Sequence, residues 1–200
     1  MNYSITILFV AICSFAQAQT TVLTTDPSLP IPKLSFDEKG DLKISASATS
    51  SPNDFDFLVG KWKMHNRRLN KRLENGKDWT EFDSSDENSK TLSSVADMDI
   101  YSTTEMPGQE GQRFEGLTLR LFNPKTRLCS LYWVASNTGV LDPPVVGSFE
   151  NNVGHFFCKD TFKGKPIIVM FRWDARNKDR PVWSQAFSSD NGKNLGMELV

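Results

Sequence analysis

Cysteine, histidine and net charge are all scarce in this chain, and each scarcity closes off a class of chemistry. Its 200 residues hold 3 cysteines and 2 histidines. His65 and His155 stand far apart, and no Cys or His pair sits at ligand spacing. Nothing therefore provides the three or four ligands of a zinc site, and neither metal nor cofactor is expected. With 23 Lys and Arg against 24 Asp and Glu, the net charge of −1 makes no electrostatic case for nucleic acid or an anionic membrane. There is no Gly-x-Ser-x-Gly elbow and no phosphate loop, and Ser–His–Asp sets can be drawn at will from so many serines. No catalytic residue is assigned.

Long apolar runs are equally few. The single one, Ile5-Thr-Ile-Leu-Phe-Val-Ala-Ile-Cys-Ser-Phe15, is too short to cross a bilayer and is followed by the small-x-small site Ala16-Gln-Ala18. It predicts a signal peptide over residues 1–18, cleaved after Ala18, with export to the periplasm or beyond and no membrane insertion. The α-amine is the only positive charge ahead of the run, and Ile12 before Cys13 is the wrong neighbour for lipid attachment. Cys129 and Cys158 remain after cleavage. An oxidising compartment permits a bridge between them, but spacing alone leaves disulfide and free thiols both open.

Large apolar side chains are missing from residues 19–52 as well, where Ser, Thr, Pro and Ala dominate. Stretches such as Thr20-Thr-Val-Leu-Thr-Thr25 bury too little surface to offset the entropy of ordering them. A flexible leader is expected here, with a short ordered stretch near residues 34–44, and one folded domain over residues 53–200.

What that domain does contain is strand after strand. Phe114, Gly116, Thr118, Arg120 and Phe122 alternate with Glu115, Leu117, Leu119 and Leu121, the period of two of a strand. Cys129, Leu131 and Trp133 face one way on the next strand, Ser130 and Tyr132 the other. Ile167, Val169, Phe171 and Trp173 line one face of another. Asn123-Pro-Lys-Thr126, Asn151-Asn-Val-Gly154, Lys163-Gly-Lys165 and Asp190-Asn-Gly-Lys193 punctuate them as turns. No window of about 12 residues has a helical period, and residues 53–58 make the best helical turn. In Gly60-Lys-Trp62 the glycine lets the backbone bend into the first strand and the indole can plug a barrel floor. The expectation is an all-β, antiparallel up-and-down barrel of about eight to ten strands behind a short helical turn.

Several segments carry a resemblance. They are Asp54-Phe-Asp-Phe-Leu-Val-Gly-Lys-Trp62, His65-Asn-Arg-Arg-Leu69, Trp79-Thr-Glu-Phe82 and Gly116-Leu-Thr-Leu-Arg-Leu-Phe-Asn-Pro124. Further along come Leu131-Tyr-Trp133, Leu141-Asp-Pro-Pro-Val-Val-Gly147, Asp160-Thr-Phe162 and Trp183-Ser-Gln-Ala-Phe-Ser-Ser-Asp190. Together they resemble a largely uncharacterised bacterial family of domains with a lipocalin-like (calycin) barrel. The resemblance implies a ligand-binding type of barrel and no particular chemistry. Two departures go with it: the last strand, Asn194-Leu-Gly-Met-Glu-Leu-Val200, lacks the family's Trp, and no Arg follows Arg180 to stack on the first-strand Trp. The closing strand is expected to be short or the barrel imperfectly sealed.

The candidate site follows from strand parity. If Trp62 points inward, so do Asn66 and Arg68. An inward Arg needs a carboxylate, supplied either by a ligand or by Glu81, Glu115 or Asp160. Trp133, Trp173 and Trp183, with Gln185 and Glu115, complete a ligand-binding set whose aromatic members serve equally well as ordinary core. Tyr132 belongs with the same rings. His155, on a Phe-rich strand, is a candidate axial haem ligand, although a lone strand His is more often hydrogen-bonded or exposed. Asp97, Asp99, Glu81, Glu115 and Asp160 read as solvated strand faces. The expected partner is a small hydrophobic or amphipathic molecule. An enzyme using the same cavity and a solid structural barrel are the alternatives; oligomeric state is not legible.

Overall fold

The computed structural model describes residues 33–74 and 76–200, with only the backbone of Met197 and Glu198. The expected signal peptide and the leader as far as Pro32 lie outside the described residues.

Ten antiparallel strands follow one another round a closed ring: β3 (Gly60–Leu69), β4 (Trp79–Thr91), β5 (Ala96–Thr103), β6 (Phe114–Asn123), β7 (Leu128–Ala135), β8 (Val145–Glu150), β9 (Val153–Phe162), β10 (Lys165–Asp174), β11 (Val182–Ser188) and β12 (Gly196–Leu199). Each pairs with its sequence neighbour, so the barrel is an up-and-down meander, all-β as expected. A 3-10 turn at Asp56–Leu58 precedes β3. The ring closes at its thinnest point, where β12, 4 residues long, meets β3 at Leu199 and Arg68 and the backbones of Val200 and Arg67 exchange two hydrogen bonds of 3.0 and 2.7 Å. The short closing strand is thus observed.

Two short strands stand outside the ring: β1 (Ser35–Phe36) and β2 (Leu42–Lys43) form a hairpin. Leu34, Phe36, Leu42 and Ile44 pack on the outward side chains Phe157, Ile168, Met170 and Ala186 of β9, β10 and β11. This explains why Ile167, Ile168, Val169 and Met170 are all buried: an unbroken apolar run is a strand covered on both faces. Residues 45–52 continue down the same side. Ser47 N–H donates to Ser148 Oγ at 2.9 Å, and the Arg127 guanidinium donates to the carbonyls of Ala48 and Ser50. Over residues 33–52 the expectation of a flexible leader gives way to a strap, because the barrel supplies an apolar outer face that a solvated segment would lack.

The floor is an aromatic plug. Phe55 and Leu58 enter the lower opening and meet Phe149, Phe156 and Trp173. Phe55 lies edge-on to Phe149 with centroids 5.0 Å apart, and Phe57 meets Trp173 at 5.7 Å. Trp62 ties the plug to the wall by donating from Nε1 to the Leu58 carbonyl at 2.8 Å. Gly60, with φ of 120°, takes the bend that only glycine makes without strain.

Candidate functional site

The inward side chains change character around the ring. β8–β11 and the lower part of β7 contribute Cys129, Leu131, Val145, Phe149, Phe156, Cys158, Ile167, Val169, Trp173 and Phe187, all buried in one apolar cluster with the plug. The cysteines are free thiols rather than a disulfide, and burial pushes both up to about 12, so neither is a nucleophile at neutral pH.

On the other side, β3–β6 turn polar groups inward. Arg120 is 4% exposed, and Asp97 and Asp99 are 4% and 3% exposed. Its guanidinium donates from Nη1 to Asp97 at 2.8 Å and from Nη2 to Asp99 at 2.5 Å, while Asn88 Nδ2 donates to Asp97 at 3.0 Å. The Thr118 N–H reaches Asp99 at 3.3 Å, and the guanidinium sits 5.1 Å above the Phe55 ring. Burial alone would discharge Arg120, but the two carboxylates outweigh it and hold the group protonated above its ordinary value. Asp97 and Asp99, expected to be solvated, are instead the anionic half of a buried triad. In Asp97-Met-Asp-Ile-Tyr101 the apolar Met98 and Ile100 turn outward and stay exposed, which places the acids inside.

Above the triad sits Asp86, opposite Trp62 on β3 and Tyr101 on β5. Loss of water first, then the nearby negative charges of Asp99 and Asp97, push its carboxyl up to about 7 against the pull of Arg120. It makes no hydrogen bond or ion pair within the described residues, so it is a half-buried group near its titration point at neutral pH. Burial raises the Tyr101 hydroxyl too, despite a hydrogen bond with Ser84.

Most of the residues singled out from the sequence meet inside the ring. Trp62, Asn66, Arg68, Trp133, Trp173, Trp183 and Gln185 all occupy inward positions. Their roles differ. Trp173 is 8% exposed and belongs to the core. Asn66 is spent on β4, donating to the Phe82 carbonyl at 3.1 Å and to Ser84 Oγ at 2.8 Å. Trp133 lies flat over Gly116, where an added Cβ would come within 1.9 Å of its ring, and meets Tyr101 edge-on at 6.2 Å. Trp183 meets Phe171 at 5.1 Å. Trp133, Trp183 and Gln185 are half-buried, and their side-chain N–H groups have no protein acceptor among the described residues.

Arg68 reaches none of the carboxylates named for it. Arg67 takes Glu81 at 3.2 Å and stacks 5.3 Å from Trp79, Arg113 takes Glu115 at 2.7 Å, and among the described residues Arg68 meets only the Met106 sulfur, at 3.7 Å. Glu115 faces outward, because Phe114 and Gly116 on either side of it face in, and it leaves the candidate set. Tyr132 also faces outward. His155 is on the outer face too, beneath the strap beside Arg172 and Ser148, so it cannot present a ring nitrogen to the interior. Burial, reinforced by the charge of Arg172, holds it down at about 4. His65 is exposed and bonded to Asp83 at 2.8 Å. Among the described residues no three His, Cys, Asp or Glu side chains gather as a metal site.

Models of known protein families give no match to this chain. No curated protein matches it as a relative either.

Proposed function

We propose that this protein is an exported carrier of a small hydrophobic or amphipathic molecule, held among the inward side chains of the barrel that stay partly exposed. The observation that carries the reading is one of exposure. Trp62, Arg68, Asp86, Tyr101, Trp133, Phe171, Trp183 and Gln185 point into a closed ring and yet remain half-buried, so water reaches them. A solid structural barrel would have closed over them, as the lower half has over Phe156, at 0% exposure. Indole faces on two sides and unspent polar groups at the rim suit an apolar body with a polar head. Arg68, which meets a thioether and no carboxylate among the described residues, supports an anionic head such as a carboxylate. Export rests on the apolar segment ahead of Ala18.

The direct test is native mass spectrometry of protein taken from its producing cells, followed by organic extraction. A stoichiometric adduct supports the reading, and its identity gives the ligand class. With that ligand in hand, Arg68→Ala should lower affinity about tenfold while moving the melting temperature little. Equal affinity with lower stability would assign Arg68 to structure.

A second reading, acid–base catalysis in the same cup, has Asp86 in its favour, since a carboxyl that titrates near neutrality can both give and take a proton. It predicts turnover of the extracted molecule that disappears in Asp86→Asn. Binding without turnover would leave the carrier reading alone.

A further inference from the structure

The barrel has a second apolar outer face besides the one beneath the strap. On β5, β6 and β7 the outward positions are Met98 and Ile100, Leu117 and Leu119, and Tyr132 and Val134, paired across the strands in two rows. Leu121 continues the patch downward, and Leu141 extends it sideways as a bridge partner of Val134. Met98, Ile100 and Leu141 are 38%, 39% and 59% exposed. Here the usual polarity of a barrel wall is inverted: the acids of β5 face in and its large apolar side chains face water. A contiguous uncovered patch of this kind marks an interaction surface.

We propose that a second copy of this chain covers this face, sheet against sheet, in a two-fold dimer. Three features favour that occupant. The first is size. Four strand positions at about 4.8 Å and three rows at about 7 Å span about 20 Å each way, roughly 400 Å² in plan, which supplies the apolar centre of a two-fold contact. A standard stable interface takes about 800 Å² per partner. The second is charge. No charged side chain lies within the patch, and two acids at its rim are paired, Glu87 with Lys61 at 3.4 Å and Glu115 with Arg113 at 2.7 Å. A two-fold contact sets a patch against its own copy, which an uncharged patch tolerates and a charged one does not. An anionic membrane would call for basic side chains, and the patch has none.

The third is distance round the ring: the chain's own hairpin covers the β9–β11 side, where Leu34 abuts Gly192, and β11 is five places from β6 either way.

Sedimentation velocity of the full exported chain from about 1 to about 100 µM, together with light scattering, tests the proposal. The expected result is twice the chain mass at the upper concentrations. Ile100→Glu and, independently, Met98→Glu should return the single-chain mass with an unchanged circular dichroism spectrum, because both side chains already stand in water in the lone barrel. Val59→Glu, at an exposed apolar position away from the patch, should leave the dimer intact. A wild-type chain that stays single throughout, or a dimer that survives both substitutions, would overturn it. An assembly abolished by Val59→Glu but not by the β5 variants would place the interface elsewhere and also overturn it.

Discussion

From β8 to β11 the inside of the ring is built of Val145, Phe149, Phe156, Ile167, Val169 and Trp173; from β3 to β6 it is built of Asn66, Asp86, Asn88, Asp97, Asp99 and Arg120. The two walls face each other across one interior and are held by different forces. The apolar wall is stabilised by removal of surface from water, which needs shape and no charged partner. The polar wall depends on each charged or amide group finding its partner in a dry setting, and it fails when one partner is lost. The difference extends outward. Behind the apolar wall the chain lays its own strap; behind the polar wall no described segment covers Met98 and Ile100.

The comparison can be broken most severely at Arg120. Arg120→Met should cost about 3–5 kcal/mol in urea unfolding, since it strands two buried carboxylates. Adding Asp97→Asn and Asp99→Asn to it should recover much of that loss. A single substitution costing under about 1 kcal/mol would mean the triad is not desolvated. Phe156→Ala on the other wall should cost a comparable 3–5 kcal/mol by leaving a cavity. Unlike the Arg120 loss, this one should not be recovered by Asp97→Asn and Asp99→Asn.

Titration sharpens the contrast. His155, behind the apolar wall, has its folded pKa lowered from 6.5 to about 4. The folded state resists protonation, so this contribution is complete above about 6.5 and drains away as pH falls towards 4, by up to about 3 kcal/mol. His155→Gln should flatten the stability profile over that window. Asp86, on the polar wall, works in the opposite sense. Its folded pKa is raised from 3.8 to about 7, so the favourable contribution is present below 3.8 and lost as pH rises through 7. Asp86→Asn should therefore stabilise the protein at pH 8 by about 1–2 kcal/mol, allowing for solvent screening, and change little at acid pH. A destabilised Asp86→Asn at pH 8 would mean the carboxylate has a partner when ionised.

Legibility in the sequence followed the same division. β6, β7 and β8–β11 could be placed from alternation, turns and the apolar run at Ile167, because their side chains face a hydrophobic core on at least one side. β4 could not: Trp79-Thr-Glu-Phe-Asp-Ser-Ser-Asp-Glu-Asn-Ser-Lys-Thr91 is polar on both faces, since its inner face looks into a polar interior. β5 has its polarity reversed, so its acids read as solvent-facing. Of the candidate site, Trp62, Arg68, Trp133, Trp183 and Gln185 were within reach of strand parity. Asp86 and the triad were not, because their parity can be assigned only once β4 and β5 are known to be strands with exposed Met98 and Ile100.

By itself the sequence determined an all-β meander: the period of two, the turn residues and the glycine before Trp62 act over a few residues and need no distant partner. Only the tertiary structure decided which face of each strand looks inward, which side of the ring is dry, that residues 33–52 lie against it, and that Arg120 meets Asp97 and Asp99. Those outcomes depend on ring closure at Leu199 and Arg68, 131 positions apart in the sequence. Burial, and with it the worth of every charge, exists only after that closure.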